Sequence, residues 1–399
     1  MSMKDLFSGI AVIIDDEVNK KSANISNIIN QIESANIPIL KYITIPPEEE
    51  IRHFQNLSFL LLDWRLIKGE INSEMIEEGV TIPDTLQEYD VSENIKFIKK
   101  LNEICFCPIF IFSNEDVNLI RSKLVSEKIM HDDHQSNIFV QSKIDLKGRV
   151  KLFNVVTKWL EKNPSIYVLK EWEKEYQSSK NKLFYEFQNI SSVWPKVLWK
   201  NYIGDGVNPS MQLGEFISRN LHTRMSPFGF SEKIMKKRGA KILPKEIKHV
   251  LEGERFLTSL DSQSIEPGDI FKISSGNYYI NIRASCDLIS GRSENGNNDN
   301  IDLYLLKGSK ISIKKGKKLY NKLYGLFPEN ETQSIIFPIN EGEILDFRFK
   351  TLKILKWSEI KDKRIGRLLP PYITKIQQRY ALYMQRQGLP KIPKEAIFD

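Results

Sequence analysis

Short apolar runs recur through the first 160 residues, separated by stretches with helical periodicity. The runs cover residues 10–14, 59–62, 108–112 and 137–140. Runs of this length are typical of strands buried on both faces of a parallel sheet. Another strand is predicted at 37–45, and helices are predicted at 18–32, 91–104, 116–129 and 147–161. Because alternating strands and helices predict a parallel sheet with right-handed crossovers, we expect an α/β flavodoxin-like (βα)5 domain over residues 1–162.

Four of these strands end in residue types that carry chemistry. Asp15 and Asp16 follow the first run, Asp63 and Ser113 directly follow two later runs, and Lys143 lies just beyond the last. The carboxyl ends of parallel strands meet at one edge of a sheet, so we expect these side chains to lie close together. Clustered carboxylates resist joint ionisation, and a divalent cation relieves this. Oxygen ligands alone favour Mg²⁺ or Mn²⁺ over zinc.

This order of acidic pair, lone Asp, hydroxyl and Lys resembles the receiver domain of two-component response regulators. The resemblance covers residues 1–160, and the rest of the chain is not assigned to a family. It implies that Asp63 accepts a phosphoryl group from a partner histidine kinase or phosphotransfer protein, assisted by Ser113 and Lys143. It also implies a Mg²⁺ or Mn²⁺ ion held by Asp15, Asp16, Asp63 and the backbone carbonyl of Arg65. The chain would then be a phosphoprotein of a phosphorelay rather than a turnover enzyme.

Several positions depart from the usual receiver pattern. Ile144 follows Lys143 where receivers generally have Pro, and Asn114 follows Ser113 where a small residue is usual. Arg65 and Glu115, each two positions beyond a site residue, are placed to pair across the pocket and to slow hydrolysis by excluding water. The alternative interpretation is a degenerate receiver that docks partners but is not phosphorylated.

An acidic insertion separates Asp63 from the next helix. Residues 66–90 hold seven acids and the single base Lys68. Loops of this length are usually functional or disordered. We consider two interpretations, a lid or partner-docking surface beside the site and a solvated insertion without a role.

Residues 163–255 are predicted to form a helical linker or middle region. A long amphipathic helix at 165–189 carries an apolar repeat made of Leu169, Trp172, Tyr176, Leu183 and Phe187. Such a repeat could form a coiled-coil homodimer, but packing within one chain is favoured because the repeat is short and aromatic. Residues 210–252 are also predicted to be helical.

The pattern changes to short strands over residues 256–399, which predicts a small β-rich barrel or sandwich. The predicted strands are 270–273, 278–283, 302–306, 311–313, 335–337 and 345–349. A final helix after Pro370 and Pro371 is predicted to place one apolar face on this domain. The face consists of Tyr372, Ile376, Tyr380 and Tyr383.

Charge divides the chain into an acidic front and a basic back. Residues 1–150 hold 16 Lys and Arg against 24 Asp and Glu, whereas the remainder holds 42 against 27. This division suggests docking between the halves or an anionic partner such as nucleic acid. The candidate contacts are Lys310, Lys314, Lys315, Lys317 and Lys318. A solvated hairpin face is the favoured alternative for this basic run.

Three cysteines, no apolar run of membrane-spanning length and no signal peptide indicate a reducing, cytoplasmic compartment without a membrane partner. Cys286 with Asp287 could serve as a nucleophile in a catalytic C-terminal module, although a buried structural cysteine is favoured. The segment from His131 to His134 is predicted to be a solvated loop. Receivers joined to unusual output modules also resemble components of bacterial anti-phage systems, so a defence role is a further hypothesis.

Overall fold

A computed structural model describes most of the 399-residue chain, which divides into two compact units. The first unit comprises Met1–Glu186 and Asn220–Gly239, and the second comprises Phe187–Arg219 and Ala240–Asp399. Residues 163–255, predicted as a middle region, are therefore shared between them. The described residues are 6–7, 9–20, 24–66, 84–130, 136–146, 151–225, 228–236, 242–262, 264–274, 276–289, 298–323, 325–327, 333–339, 342–388 and 390–398.

The first unit contains a five-stranded parallel sheet in the order β2-β1-β3-β4-β5. Its strands are β1 (Ile10–Ile14), β2 (Ile39–Tyr42), β3 (Leu57–Leu62), β4 (Ile109–Ser113) and β5 (Ile138–Ser142). The order is that of flavodoxin-like doubly wound sheets, as the sequence predicts. The second strand is shorter than its predicted range of 37–45.

Helices cover both faces of this sheet. They are α1 (Asn24–Glu33), α2 (Glu48–Ile51), α3 (Asp84–Ile104), α4 (Val117–Ser126), α5 (Leu152–Leu160), α6 (Pro164–Ile190) and the short α9 (Glu232–Met235). Alternate strand residues point to opposite faces, so Leu60 and Leu62 pack with α3 and α4. Phe59 and Leu61 pack with α1 and α5 on the other face. This arrangement buries β3 and β4 completely and β1 from Ala11 onward, which explains why these strands are continuous apolar runs, whereas β2 and β5 at the sheet margins stay partly exposed.

The long helix α6 matches its predicted range but buries a different face. Its buried residues are Ile166, Tyr167, Lys170, Ser179 and Leu183, so Leu183 alone belongs to the predicted apolar repeat. Trp172 and Tyr176 instead stack on each other with ring centroids 5.1 Å apart, and Trp172 is exposed. The expectation of packing within one chain holds for the buried face.

The second unit is built on one curled sheet of seven strands in the order β10-β11-β9-β8-β7-β12-β6. The strands are β6 (Phe256–Leu257), β7 (Asp269–Ser274), β8 (Asn277–Asn281), β9 (Asp302–Ile311), β10 (Ser334–Pro338), β11 (Ile344–Lys356) and β12 (Arg364–Leu368). All pairings among these described strands are antiparallel. The region is β-rich as predicted, and its described strands form one curled sheet in which the outermost strands, β10 and β6, are not paired with each other.

The helices of the second unit are α7 (Trp194–Gly204), most of α8 (Pro209–Arg224), α10 (Pro244–Arg255), α11 (Ile313–Leu319), α12 (Trp357–Ile360) and α13 (Tyr372–Gln385). The predicted aromatic face of α13 packs on the sheet core, as expected. A predicted strand at 311–313 is wrong, because Ser312 caps the start of α11 by accepting a hydrogen bond from the Lys315 amide. The long β9 instead combines residues 302–306 with those leading to Ile311.

Across the described residues, no helix combines the length and apolar character that crossing a bilayer would require.

Candidate functional site

Backbone pairing brings the predicted residues to one edge of the first sheet. The Asp15 amide donates to the Tyr42 carbonyl at 3.0 Å, and the Asp63 amide donates to the Ile14 carbonyl at 2.9 Å. The Lys143 amide likewise donates to the carbonyl of Ser113 at 2.9 Å. These bonds continue the parallel ladder just past the strands, so the sheet itself sets the positions of the side chains.

Three carboxylates meet at this edge. Asp15, Asp16 and Asp63 each offer an oxygen that lies within 4.8 Å of the others. The Lys143 ammonium donates to Asp15 Oδ2 at 2.7 Å and to Asp63 Oδ2 at 2.5 Å. Asp15, Asp63 and Lys143 are buried, whereas Asp16 is half-buried. The predicted acidic pair, lone Asp and Lys therefore form one contiguous cluster.

The electrostatics of this cluster favour an additional cation. Burial raises the pKa of Asp63 to about 7, and Asp15 and Asp16 reinforce the rise while Lys143 opposes it. Burial together with Asp15 and Glu17 raises the pKa of Asp16 to about 6. For Lys143, burial lowers the pKa, but the charges of Asp63 and Asp15 outweigh it and the net direction is upward.

When all three carboxyls are ionised, they exceed the single ammonium of Lys143 by two negative charges. The donor atoms are oxygens, and the partial exposure of Asp16 leaves access for water. Hard divalent cations such as Mg²⁺ bind oxygen ligands and retain several waters, so the residues present fit such an ion. Asp15, Asp16 and Asp63 are the side chains that would hold it.

A buried asparagine fixes the loop that follows Asp63. The Asn94 side-chain amide donates to the Trp64 carbonyl at 2.7 Å and to the Asp63 carbonyl at 3.4 Å. The Arg65 amide in turn donates to Asp63 Oδ1 at 3.4 Å. Asn94 therefore ties two of the three carbonyls of this turn, and the predicted ligand carbonyl of Arg65 is not among them.

Sequence reasoning missed Asn94, although a signal was present. It occupies an apolar-face position of α3, four residues before Ile98, and it is fully buried. A polar residue at a core-facing helical position is buried with a hydrogen-bonding role to perform.

Ser113 and the Arg65–Glu115 pair complete the edge. The Ser113 hydroxyl oxygen accepts from the Glu115 amide at 3.2 Å, and its proton has no acceptor within the part of the chain that the structure describes. Arg65 forms an ion pair with Glu115, as the sequence hypothesis proposed. Arg65 is exposed, so the pair lies at the solvent side of the site.

The remaining candidates lie in the second unit or outside the described residues. Lys310, on β9, pairs with Glu343 at 2.8 Å, whereas the other four predicted lysines lie on α11 with exposed side chains. A solvated hairpin is therefore wrong for those four, which are helical. Cys286 is exposed in a 3₁₀ turn beside Asp287, so the expectation of a buried cysteine is also wrong. The histidines at 131 and 134 and residues 67–83 of the acidic insertion lie outside the described residues.

Comparison with known proteins identifies no relative. No protein-family model, curated protein or solved structure matches this chain. What the cluster can do is therefore inferred from its own geometry and chemistry.

Proposed function

We propose that the first unit accepts a phosphoryl group on Asp63 from the phosphohistidine of a partner protein, in the presence of a divalent cation. The observation that carries this proposal is the meeting of Asp15, Asp16, Asp63 and Lys143 at the carboxyl edge of the sheet. The fold does not require three acids and a lysine at this edge, and their burial is costly unless the charges are used.

Asp63 is the nucleophile. One carboxylate oxygen attacks phosphorus, the P–N bond to the donor imidazole breaks, and the imidazole leaves after taking a proton from solvent. An acyl phosphate forms on Asp63. A divalent cation, when bound by the three carboxylates, would neutralise negative charge on the transferring group.

Lys143 also assists phosphoryl transfer to Asp63. Its ammonium now spans Asp15 Oδ2 and Asp63 Oδ2. Once the Asp63 oxygen is phosphorylated, the ammonium can keep its bond to Asp15 and donate to a phosphoryl oxygen in place of Asp63 Oδ2. Asp15 thus positions the lysine throughout the transfer. Ser113, whose hydroxyl proton lacks a described acceptor, is the second donor available at this edge.

Phosphorylation is tested with acetyl phosphate as donor and intact mass as the readout. We expect wild type to gain one phosphoryl group with Mg²⁺ and none with EDTA, and Asp63→Asn to gain none. Asp145→Asn is the matched control, because Asp145 is an exposed carboxylate two residues beyond Lys143. A gain that is unchanged in Asp63→Asn contradicts the proposal. No gain from acetyl phosphate or from a panel of histidine kinases supports the degenerate docking receiver instead.

Nucleic-acid binding by the second unit is a second candidate function, favoured by one observation. Lys314, Lys315, Lys317 and Lys318 are exposed on α11 and make no ion pair with any described residue. The buried Gly316 packs this helix against Ile344, which leaves the lysines on the outer side. Ammonium groups that have no described carboxylate partner and share one short helix suit phosphate contacts.

Salt dependence of binding tests this second function. We expect single-stranded DNA binding whose affinity falls with salt, with a slope reduced by about 0.7 per lost phosphate contact in Lys317→Glu with Lys318→Glu. Lys350→Glu with Lys353→Glu, on exposed positions of β11, is the matched control. Equal binding by both double variants contradicts a role for α11.

A further inference from the structure

The second unit contains an open cavity of about 660 Å³ that has no part in the functions proposed above. One wall is the first part of α8, from Ser210 to Arg219, and the facing wall comprises residues 264–266 and 285–289. Cavities of this size hold small organic molecules.

Buried core residues and a network of ion pairs lie beside the cavity. Ile265 and Leu288 line it and belong to the buried core around Trp357. Behind them the fully buried Asp269 pairs with Arg367 at 2.7 Å and with Arg364 at 3.4 Å. Because these groups are packed and paired, the shape of the cavity is largely preformed.

The same network clamps the backbone of Glu266. Its amide donates to Asp269 Oδ2 at 3.1 Å, and its carbonyl accepts from the Asn281 side chain at 3.1 Å. Arg367 also donates to the carbonyl of Ser264 at 3.0 Å. The loop is therefore held on both sides, and Glu266 contributes to the cavity wall.

Among the described residues, no cation forms an ion pair with the Glu266 carboxylate. Burial raises its pKa, and the charges of Glu215 and Asp269 reinforce the rise while Arg367 opposes it. Glu266 accepts a hydrogen bond from the Ser285 side chain but makes no ion pair with a residue that the structure describes. The Arg367 guanidinium is committed to Asp269 and Ser264.

Glu215 adds a second carboxylate to the same cavity. It lies 3.9 Å from Arg219, and both side chains are more than half exposed, so this ion pair neutralises Glu215 only weakly. Among the lining residues, Glu215 and Glu266 face the single guanidinium of Arg219, so the wall carries net negative charge when both carboxyls are ionised. The hydroxyls of Ser210 and Ser218 supply further hydrogen-bond acceptors.

We propose that this cavity binds a small organic cation, with a primary ammonium or guanidinium group held by Glu266 and Glu215. A cation there supplies the charge that the half-buried Glu266 lacks, and its remaining N–H groups can donate to the serine hydroxyls. Ile265, Leu288 and Met211 cover the apolar carbons of the ligand. Anionic ligands of the same size are disfavoured by the two carboxylates.

Cys286 provides a reporter for occupancy. Its exposed thiol lines the cavity, whereas Cys105 and Cys107 are buried in the first unit. Iodoacetamide alkylates it by forming an S–C bond as iodide leaves and the thiol proton passes to the buffer. A ligand in the cavity covers this thiol, so alkylation should slow when the cavity is filled. Cys286→Ser, which should lose the rapid labelling, identifies the reacting cysteine.

Agmatine, which carries both an ammonium and a guanidinium group, is the probe, and succinate and 1,4-butanediol are the anionic and neutral comparators. On the full chain, calorimetry should give agmatine a dissociation constant of about 1 mM or lower, as suits a ligand of its size. Glu266→Gln should weaken binding at least about tenfold, and the more exposed Glu215→Gln about threefold. Glu254→Gln, at an exposed position of α10, is the matched control. Agmatine, but neither comparator, should slow alkylation of Cys286.

Several outcomes overturn the proposal. These are equal agmatine affinity in Glu266→Gln and Glu254→Gln, binding of succinate as tight as that of agmatine, and absence of agmatine binding. If near-UV circular dichroism shows that Glu266→Gln has lost the native packing, Glu215→Gln decides, because it changes an exposed side chain. Unchanged affinity in that folded variant would also count against the site. Asp63→Asn should bind agmatine as wild type does, which separates this site from phosphoryl transfer.

Discussion

Replacing Asp63 with Asn should stabilise the metal-free first unit, and the gain should grow with pH. Burial raises the pKa of Asp63 from 3.8 to about 7. The folded state therefore retains a proton that the unfolded state releases at lower pH, so stability falls as pH rises from about 4 to about 7 and is level above that. Asp63→Asn removes the ionisation but keeps an oxygen that Lys143 can donate to.

The magnitude follows from the two pKa values. The difference between 3.8 and about 7 corresponds to about 4 kcal/mol of lost stability when ionisation is complete. About 3 kcal/mol of this stability is lost between about pH 5 and pH 8, which raises the equilibrium constant for opening roughly a hundredfold. Asp63 is 7% exposed, so solvent screening reduces the effect little.

Hydrogen exchange followed by mass spectrometry measures this in the full chain, with peptides that span β3 and β4. In EDTA, wild type should lose protection relative to Asp63→Asn between these pH values, since intrinsic exchange rates cancel when the chains are compared at one pH. Asp145→Asn should behave as wild type. Saturating Mg²⁺ should remove most of the difference, because a bound cation lowers the pKa of the carboxylates. Equal protection of wild type and Asp63→Asn at both pH values would refute the reasoning.

Three further predictions concern positioning, hydrolysis and packing. Asn94→Ala removes the side-chain amide that holds the turn after β3, so phosphorylation by acetyl phosphate should slow about tenfold or more. Asn94→Asp keeps the side-chain shape but loses the N–H donor, so it should be slowed as well. Breaking the ion pair in either Arg65→Ala or Glu115→Ala should speed loss of the phosphoryl group a few-fold by admitting water, with the double variant no faster than the singles. Gly308→Ala should lower the stability of the second unit by about 1–3 kcal/mol, because the added carbon would lie 2.7 Å from the Phe347 ring. Gly214→Ala, in α8 with no atom within 4 Å of the added carbon, should be neutral or stabilising, and thermal melts compare the two.

The first unit was predictable because its signals are local. Continuous apolar runs define its strands, and the residue at each strand end follows from the chain alone, so the sequence suffices to place Asp15, Asp63, Ser113 and Lys143 at one edge of the sheet. Asn94 could not be placed in the same way. Its role depends on how α3 packs beside the turn after β3, which is a tertiary relation.

The second unit was less predictable because its elements depend on long-range pairing. Strand β12 pairs with β7, almost one hundred residues earlier, and no apolar run or alternation in Arg364–Leu368 indicates a strand. The lysines from 314 to 318 were predicted to lie on a solvated hairpin face, but the capping hydroxyl of Ser312 and the small Gly316 against Ile344 favour a helix. Exposure of Cys286 likewise follows from a turn that the sequence does not specify.

The ammonium of the acidic cluster is supplied by the strand at the margin of the sheet. Among the described strands β5 pairs on one side only, with β4, whereas β1 and β3, which precede the acids, are each paired on both sides. Marginal strands open more readily than central ones. Fraying of β5 would withdraw Lys143 and leave the three carboxylates in place. Without the ammonium, the carboxylates would repel one another more strongly and bind a cation more tightly. A protein that packs a strand or a helix against β5 would therefore change how tightly the acidic cluster holds a metal ion and how readily Asp63 ionises. It would do so without contacting the metal ion or Asp63.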